Sequence, residues 1–240
     1  MRYNWDWSVL VQAPYVDWLF SGLLLTLVIS AIGWVIALAL GSVIGVARTT
    51  DFRVARALGM VYVEVFRNVP LLVQLFLWYF VLPELVPAAA GHWLKRDMPE
   101  PELVTAIVGL GLYTACRVAE QVRSGIQSIG RGQALAGLAS GLTLWQVYRY
   151  ILLPRAFRII VPALTNEFLN IFKNSSLALT IGVLELTSRA RQVSEATYHS
   201  VEAFAAASLL YALITFIVTL IMRRIEAGVR IVGTIGPGIG

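Results

Sequence analysis

The chain has 240 residues, of which 58% are hydrophobic and only 14% are charged, with a formal net charge of +5. A soluble domain carries about a quarter charged and roughly 45–50% apolar residues. The composition therefore excludes a water-soluble enzyme core, a disordered chain, a collagen and a coiled coil, and it predicts a membrane protein.

The first 18 residues are predicted to form an interfacial segment on the outer, periplasmic face of the membrane. Asp6 and Asp17 argue against a cleavable signal peptide, which begins with basic residues and an apolar run. Aromatic rings in this stretch suit the headgroup level of a bilayer. These aromatic residues are Tyr3, Trp5, Trp7, Tyr15 and Trp18.

Five apolar segments follow, and each can form a transmembrane helix, because a bilayer core of about 30 Å needs about 20 apolar residues in a helix. We therefore predict an all-α integral membrane protein with about five transmembrane helices in a domain at 19–227 and a cytoplasmic tail at 228–240. The predicted spans lie at 19–46, 57–82, 103–119, 159–186 and 203–222.

The distribution of basic residues predicts the orientation. With the N-terminus outside, twelve Arg or Lys residues, Arg117 and Arg230 among them, fall on the inner side, and five, Arg2 among them, fall on the outer side. Cytoplasmic loops are the ones enriched in Lys and Arg. The N-terminus is therefore predicted outside and the C-terminus in the cytoplasm. Orientation also accounts for most of the positive charge, so no nucleic-acid partner is predicted.

A long inner loop separates the third and fourth spans, at about 120–158. Small residues are dense in it, and Leu144 and Trp145 then follow with helical spacing. We expect a short helix at about 133–146 that buries these apolar side chains against its own protein or a partner. Pro154 is expected to break the chain before the fourth span.

Sequence motifs in this loop and in two spans resemble a known family. Gly141, followed twelve residues later by Leu153-Pro154 and then Ala156, resembles the cytoplasmic loop of bacterial ABC importer permeases. The stretches at 66–74 and 159–181 are similar to the second and fourth spans of the polar amino-acid branch of that family. Within the branch, three stretches most resemble one permease subunit of glutamate/aspartate importers: Asn4-Trp5-Asp6-Trp7, residues 62–70 and Arg131-Gly132-Gln133. The resemblance covers about residues 19–227.

The resemblance implies a fold of the ABC type I importer kind, in the bacterial inner (cytoplasmic) membrane, that couples to an ATPase through the loop. One departure is visible, because Leu135, Ala136 and Gly137 stand where the family has Glu-Ala-Ala. Contact with the ATPase would then rest on shape and apolar burial. The residues implied to couple are Leu135, Ala136, Gly137, Gly141, Leu144, Trp145, Arg149 and Pro154.

Charged residues inside spans are expensive and mark either functional sites or structural pairs. Glu64 and Arg67 are three residues apart, so they can form an ion pair on one helical face or serve transport, and Asn68 follows them. Glu167 and Lys173 are six apart, which places them on different faces of one helix.

An acidic amino acid needs positive charge or helix N-termini for its carboxylates. The cluster of Lys173, Asn174, Ser175 and Ser176 is therefore predicted to line a translocation path together with Glu167, Glu64, Arg67 and Asn68. Hydrogen-bonded packing between spans is the alternative for that cluster. Replacing Lys173 by Met without loss of acidic-substrate transport would remove it from the path.

The sequence offers no catalytic constellation. It has no GxxxxGK[ST] phosphate loop, so it is not expected to hydrolyse ATP. Cys116, the one cysteine, has no metal-ligand neighbours, and His92 and His199 are isolated. We predict neither an enzyme, nor a metal site, nor a cofactor in this chain, with ATP bound by a partner subunit.

The predicted function is that of a permease subunit of an ATP-driven importer of polar amino acids, glutamate or aspartate in particular. The family implies four partners besides lipid: an ATP-binding subunit, a second permease (a sister chain or a copy), a periplasmic solute-binding protein and the amino acid itself. A self-contained secondary transporter or channel is the alternative. The long loop and the lack of an internal repeat disfavour it.

Overall fold

The computed structural model describes residues 3–229, and every regular element in that range is helical. Met1, Arg2 and residues 230–240 of the predicted tail lie outside the described residues, whereas the tail's first two residues, Gly228 and Val229, belong to the last helix. The helices are α1 (Tyr15–Ala47), α2 (Arg53–Asn68), α3 (Leu71–Phe76), α4 (Leu82–Leu85), α5 (Ala88–His92), α6 (Pro101–Gln127), α7 (Arg131–Ala139), α8 (Leu144–Val147), α9 (Leu153–Asn174), α10 (Leu186–Thr197) and α11 (Ser200–Val229). Short 3-10 or π-helical turns extend several of them.

Among residues 3–229, three helices are long and apolar enough to cross a bilayer: α1 with 33 residues, α6 with 27 and α11 with 30. They correspond to the first, third and fifth predicted spans. The pair formed by α2 and 71–85 would make a fourth span if counted as one broken segment. The predicted fourth span falls on α9, which ends at Asn174 and continues as a 3-10 turn. Five spans and their orientation stay predictions.

The predicted second span at 57–82 is bent instead of straight. Its two halves meet at an angle of 105° at Val69 and Pro70. Proline has no N–H to continue a helix, and it forces the residue before it into an extended conformation. The buried Gln74 side chain closes the bend, since its amide nitrogen donates to the carbonyls of Phe66 (2.9 Å) and Val69 (2.8 Å).

Helices α1 and α6 pack closely against each other and form the most extensive helix contact of the bundle. Gly41 and Gly45 of α1 face α6, and a Cβ built on Gly41 would lie 2.6 Å from the Cβ of Val118 and 2.7 Å from the carbonyl oxygen of Ala115. Small residues four apart let two helix backbones approach each other in this way. The pair therefore has a packing role.

We expect Gly41→Leu to destabilise the helix pair by about 1–3 kcal/mol, because the added side chain overfills a packed interface. The measurement is the thermal unfolding midpoint of the purified protein in detergent. Val43→Leu is the matched control, since Val43 lies on the same helix and is 67% exposed. An unchanged midpoint for Gly41→Leu would contradict the packing described here.

One end of the bundle, here called the N-terminal end, is held together by two fully buried glutamates. Glu202 accepts a hydrogen bond from the backbone N–H of Asp6 at 2.8 Å and another from the hydroxyl of Tyr3. Glu185 caps α10 by accepting from the N–H groups of Thr187 and Ser188. The segment before α1 is thus fixed to the start of α11, while its interfacial location stays a prediction.

The opposite end, here called the basic end, is where α1 ends, α2 begins and the segment 128–152 lies. The apolar side of that segment packs onto the last turns of α6. Val147 and Leu152 are buried there in one core cluster with Val122 and Ile126 of α6. The loop therefore belongs to the bundle and is not a free connector.

Candidate translocation cavity and coupling surface

A polar cavity of about 450 Å³ lies between α2, α6 and α9. Most of its lining comes from α6, where residues at i, i+1, i+4 and i+5 share one face. The last turn of α2 and the middle of α9 supply the remaining walls. The lining residues are Arg67, Cys116, Arg117, Glu120, Gln121 and Glu167.

The two arginines of the cavity have no carboxylate partner. Within residues 3–229, neither Arg67 nor Arg117 forms an ion pair, although Arg117 donates to the hydroxyl of Tyr113 at 2.8 Å. Glu120 is already paired with Arg48 (2.6 Å) and Arg123. The cavity therefore presents two cationic groups that are free to meet an anion.

Glu167 is the remaining charged group in this lining. It is 8% exposed, and its Oε2 has no hydrogen-bond partner among the described residues. Burying a carboxylate without a partner is costly, so this oxygen is a natural acceptor for a cation that enters the cavity. Arg67, Arg117 and Glu167 together match a ligand with more than one carboxylate and one ammonium group.

The structure brings two of the predicted path residues, Arg67 and Glu167, to the same cavity. Glu64 and Asn68 instead bind each other, as the Asn68 amide donates to the Glu64 carboxylate (3.0 Å) and carbonyl (2.8 Å). The ion pair between Glu64 and Arg67 that their spacing allows is absent from the described residues. Glu64 and Asn68 are exposed beside the cavity and not part of its lining.

The predicted cluster at 173–176 lies at the end of α9, away from the cavity lining. Lys173 is exposed, and Ser175 and Ser176 donate to the carbonyls of Phe172 and Lys173, both at 2.7 Å. These hydroxyls satisfy carbonyls where the α-helix tightens into a 3-10 turn. Both bonds stay within one turn of the same segment, so they do not distinguish packing between spans from a path role, and the role of the cluster stays a prediction.

The charge distribution assigns Arg117 to the inner side, and its side of the membrane stays a prediction. Its place on the cavity face of α6, a helix that runs to Gln127, was not anticipated from the sequence. The missed signal is the spacing of polar residues, since Arg117, Glu120 and Gln121 fall on one helical face. The other face, with Val118 and Val122, stays apolar and buried.

The predicted helix at 133–146 is two helices, so the expectation of one continuous element was wrong. Helix α7 ends where Gly141 adopts a φ of +86°, which is costly for residues with a Cβ. The N–H of Leu142 then donates to the carbonyl of Gly137 at 3.1 Å. Thr143 starts α8 through a capping box with Gln146.

The two helices expose an apolar surface, here called the coupling surface. Leu135 is 63% exposed, Leu144 51% and Trp145 67%. Ala136 and Arg149 are exposed beside them, as is Pro154 in the first turn of α9. Gly137 is instead buried, and a Cβ built there would lie 2.7 Å from Cδ1 of Ile151. Gly137 and Gly141 therefore shape the surface that the other residues present.

Comparisons with known proteins agree with this architecture. Residues 37–231 match the family described as binding-protein-dependent transport system inner membrane component. The chain is 44% identical over 245 residues to the glutamate/aspartate import permease protein GltJ of Escherichia coli K12, covering 98% of this chain and 99% of the relative. It is 34% identical over 228 residues to the glutamine transport system permease protein GlnP of the same organism, covering 95% and 99%.

A solved structure shares the fold. The chain superposes with a TM-score of 0.79 and 27% identity on a chain from the crystal structure of an amino acid ABC transporter with histidines, covering 94% of this chain and all of the other. The resemblance found in the sequence motifs is therefore confirmed along nearly the whole length. The chain belongs to the family of binding-protein-dependent transport system inner membrane components, among the permeases of amino-acid ABC importers.

Proposed function

We propose that the chain is the translocating subunit of an ATP-driven importer of glutamate and aspartate in a bacterial inner membrane. In this role it works with an ATP-binding subunit, a second permease that is a sister chain or a copy, and an external solute-binding protein. The 44% identity to a glutamate/aspartate import permease supports the substrate class. The family membership supports the kinds of partner.

The charges of the cavity are the observation that carries the substrate proposal. Glutamate and aspartate each have two carboxylates and one ammonium group. In the proposed complex, Arg67 and Arg117 bind the carboxylates and the unpartnered Oε2 of Glu167 receives the ammonium group. Charge-assisted hydrogen bonds of this kind are about twice as strong as neutral ones. A neutral amino acid such as glutamine would leave one arginine without an anion.

The coupling surface supports an ATP-driven mechanism. Leu135, Leu144 and Trp145 form an exposed apolar surface at an end of the bundle that carries most of the basic residues. We propose that this surface docks into the ATP-binding subunit and moves with it. A secondary transporter has no use for such a surface, so the alternative of a self-contained transporter is disfavoured.

The test is uptake of labelled glutamate by the complete transporter in proteoliposomes, with ATP inside and the binding protein outside. We expect ATP-dependent uptake that aspartate inhibits strongly and that glutamine and arginine inhibit weakly. The control omits the ATP-binding subunit. Uptake by the chain alone would favour a secondary transporter, and strong inhibition by glutamine would contradict the substrate proposal.

A further inference from the structure

A buried tyrosine next to the coupling surface forms hydrogen bonds with the turn at the end of α1. Tyr148 directly follows α8 and is buried. Its hydroxyl donates to the backbone carbonyl of Thr49 at 3.0 Å and lies 3.2 Å from the Thr49 hydroxyl. A residue three positions from Trp145 thus binds the turn that ends α1, 99 residues away in sequence.

The same turn reaches the cavity through an ion pair. Arg48 and Thr49 both lie in the turn that follows the last residue of α1. In this turn the N–H of Arg48 donates to the carbonyl of Ile44, and the N–H of Thr49 donates to the carbonyl of Val46. The guanidinium of Arg48, only 11% exposed, binds Glu120 at 2.6 Å. Glu120 lines the cavity. Two side-chain contacts, joined by the peptide bond between Arg48 and Thr49, therefore connect the coupling surface with the cavity.

We propose that Tyr148, Thr49, Arg48 and Glu120 form a mechanical relay that positions Glu120 at the cavity according to the state of the coupling surface. The proposal rests on the proposed function, because it requires a partner that moves this surface. Displacement of Tyr148 would shift the turn holding Thr49 and Arg48, and Arg48 would carry the Glu120 carboxylate with it. Tyr148 is thus a positioning residue.

Glu120 is a suitable last member of such a relay. It supplies a negative charge to the wall that also holds Arg117, three residues earlier on α6. Its carboxylate is held by Arg48 on one side and by Arg123 of its own helix on the other. A shift of Arg48 would draw this carboxylate along while Arg123 stays paired with it, and so would change the negative charge that an anion bound to Arg117 meets. The relay therefore connects movement at the surface to the charge of the cavity wall.

Direct packing is the competing route between the coupling surface and α6. Val147 and Leu152 flank Tyr148 and are buried against α6 in the same cluster as Val122. Physical contact alone does not establish coupling, which has to be measured. The two routes differ in chemistry, because only the relay depends on the hydroxyl of Tyr148. Removing that one oxygen separates them.

The test is Tyr148→Phe in the complete reconstituted transporter, with labelled glutamate uptake and ATP hydrolysis measured in the same vesicles. We expect the number of glutamates transported per ATP to fall about fivefold, the factor that corresponds to one lost neutral hydrogen bond. The half-saturating concentration of binding protein should not change. Tyr150→Phe is the matched control, since its side chain is 63% exposed and makes no hydrogen bond within the described residues.

Arg48→Met is the second variant, and it keeps the apolar stem of Arg48 while removing the pair with Glu120. If both residues act in one relay, the double variant should transport no less per ATP than either single variant. A normal ratio in either single variant, an equal loss in Tyr150→Phe, or additive losses in the double variant would overturn the relay. Failure of the unmodified transporter to use ATP would instead contradict the proposed function.

Discussion

Replacing Trp145 by Asp is expected to abolish the association of the chain with its ATP-binding subunit while leaving membrane insertion intact. Trp145 is the most exposed aromatic side chain of the coupling surface, at 67%. Tryptophan is enriched among residues that dominate binding energies, and truncating such a residue costs at least about 2 kcal/mol, roughly thirtyfold in affinity. An aspartate adds the cost of burying a charge without a partner.

Two measurements check this expectation: co-purification of the ATP-binding subunit with the tagged chain, and the stimulation of ATP hydrolysis by loaded binding protein. Tyr198→Asp provides the matched control, because Tyr198 is an 87% exposed aromatic residue at the N-terminal end of the bundle. That variant should keep the ATP-binding subunit attached. Normal co-purification of Trp145→Asp would show that this surface does not dock the ATPase.

The chain lacks the acidic residue of the family's Glu-Ala-Ala motif, so the effect of Trp145→Asp also reports how the chain docks to the ATPase. With Leu135 and Ala136 exposed where the family motif has Glu and Ala, docking has to rely on apolar contact. Apolar burial is insensitive to ionic strength, whereas an exposed ion pair is screened by salt. Association of the two subunits should therefore persist at high salt in the unmodified protein.

Hydropathy was sufficient to predict the helices that face lipid or pack along their length. Helices α1, α6 and α11 contain the apolar segments at 19–46, 103–119 and 203–222. Their ends were harder to predict, since amphipathic turns continue past the apolar stretch. Helix α6 extends eight residues beyond the predicted end, through Glu120 and Arg123 to Gln127, because one face stays buried.

The sequence prediction differed from the structure mainly at positions where a helix is interrupted. Pro70 and Gly141 were both visible in the sequence, yet the 105° bend needs the Gln74 amide to satisfy carbonyls at the break. Likewise, the positive φ of Gly141 ends α7 before Leu144 and Trp145 begin the next turn. Hydrogen bonds across a helix break, and a positive φ at one residue, are not encoded in hydrophobic periodicity.

Helical geometry alone predicted the relative positions of Glu167 and Lys173, but not which of the two faces the cavity. Their six-residue spacing predicted different faces, and Glu167 is indeed buried at the cavity while Lys173 is exposed. The choice between them as the path-lining residue required the neighbouring helices. Arg117 of α6 and Arg67 in the last turn of α2 line the same cavity as Glu167. The cavity therefore has positive charges without Lys173.

Replacing Arg117 by Met is therefore expected to raise the half-saturating concentration for acidic-substrate transport by about 10- to 100-fold, the range for losing a hydrogen bond to a charged group. Methionine keeps much of the length and apolar volume of the side chain, so the change isolates the guanidinium. Arg117→Lys, which keeps the charge and loses the planar fork, should show a smaller increase. Initial rates of glutamate uptake in proteoliposomes measure both.

Lys173→Met removes the same charge at the end of α9 and tests the competing assignment. If the cavity is the path, uptake by Lys173→Met should resemble that of Arg96→Met, which removes an exposed arginine outside the cavity lining. A large loss in Lys173→Met with little change in Arg117→Met would move the path from the cavity to the cluster at 173–176. Equal losses in both would place Lys173 and Arg117 on one path, because each substitution would then remove a positive charge that the same anionic substrate meets.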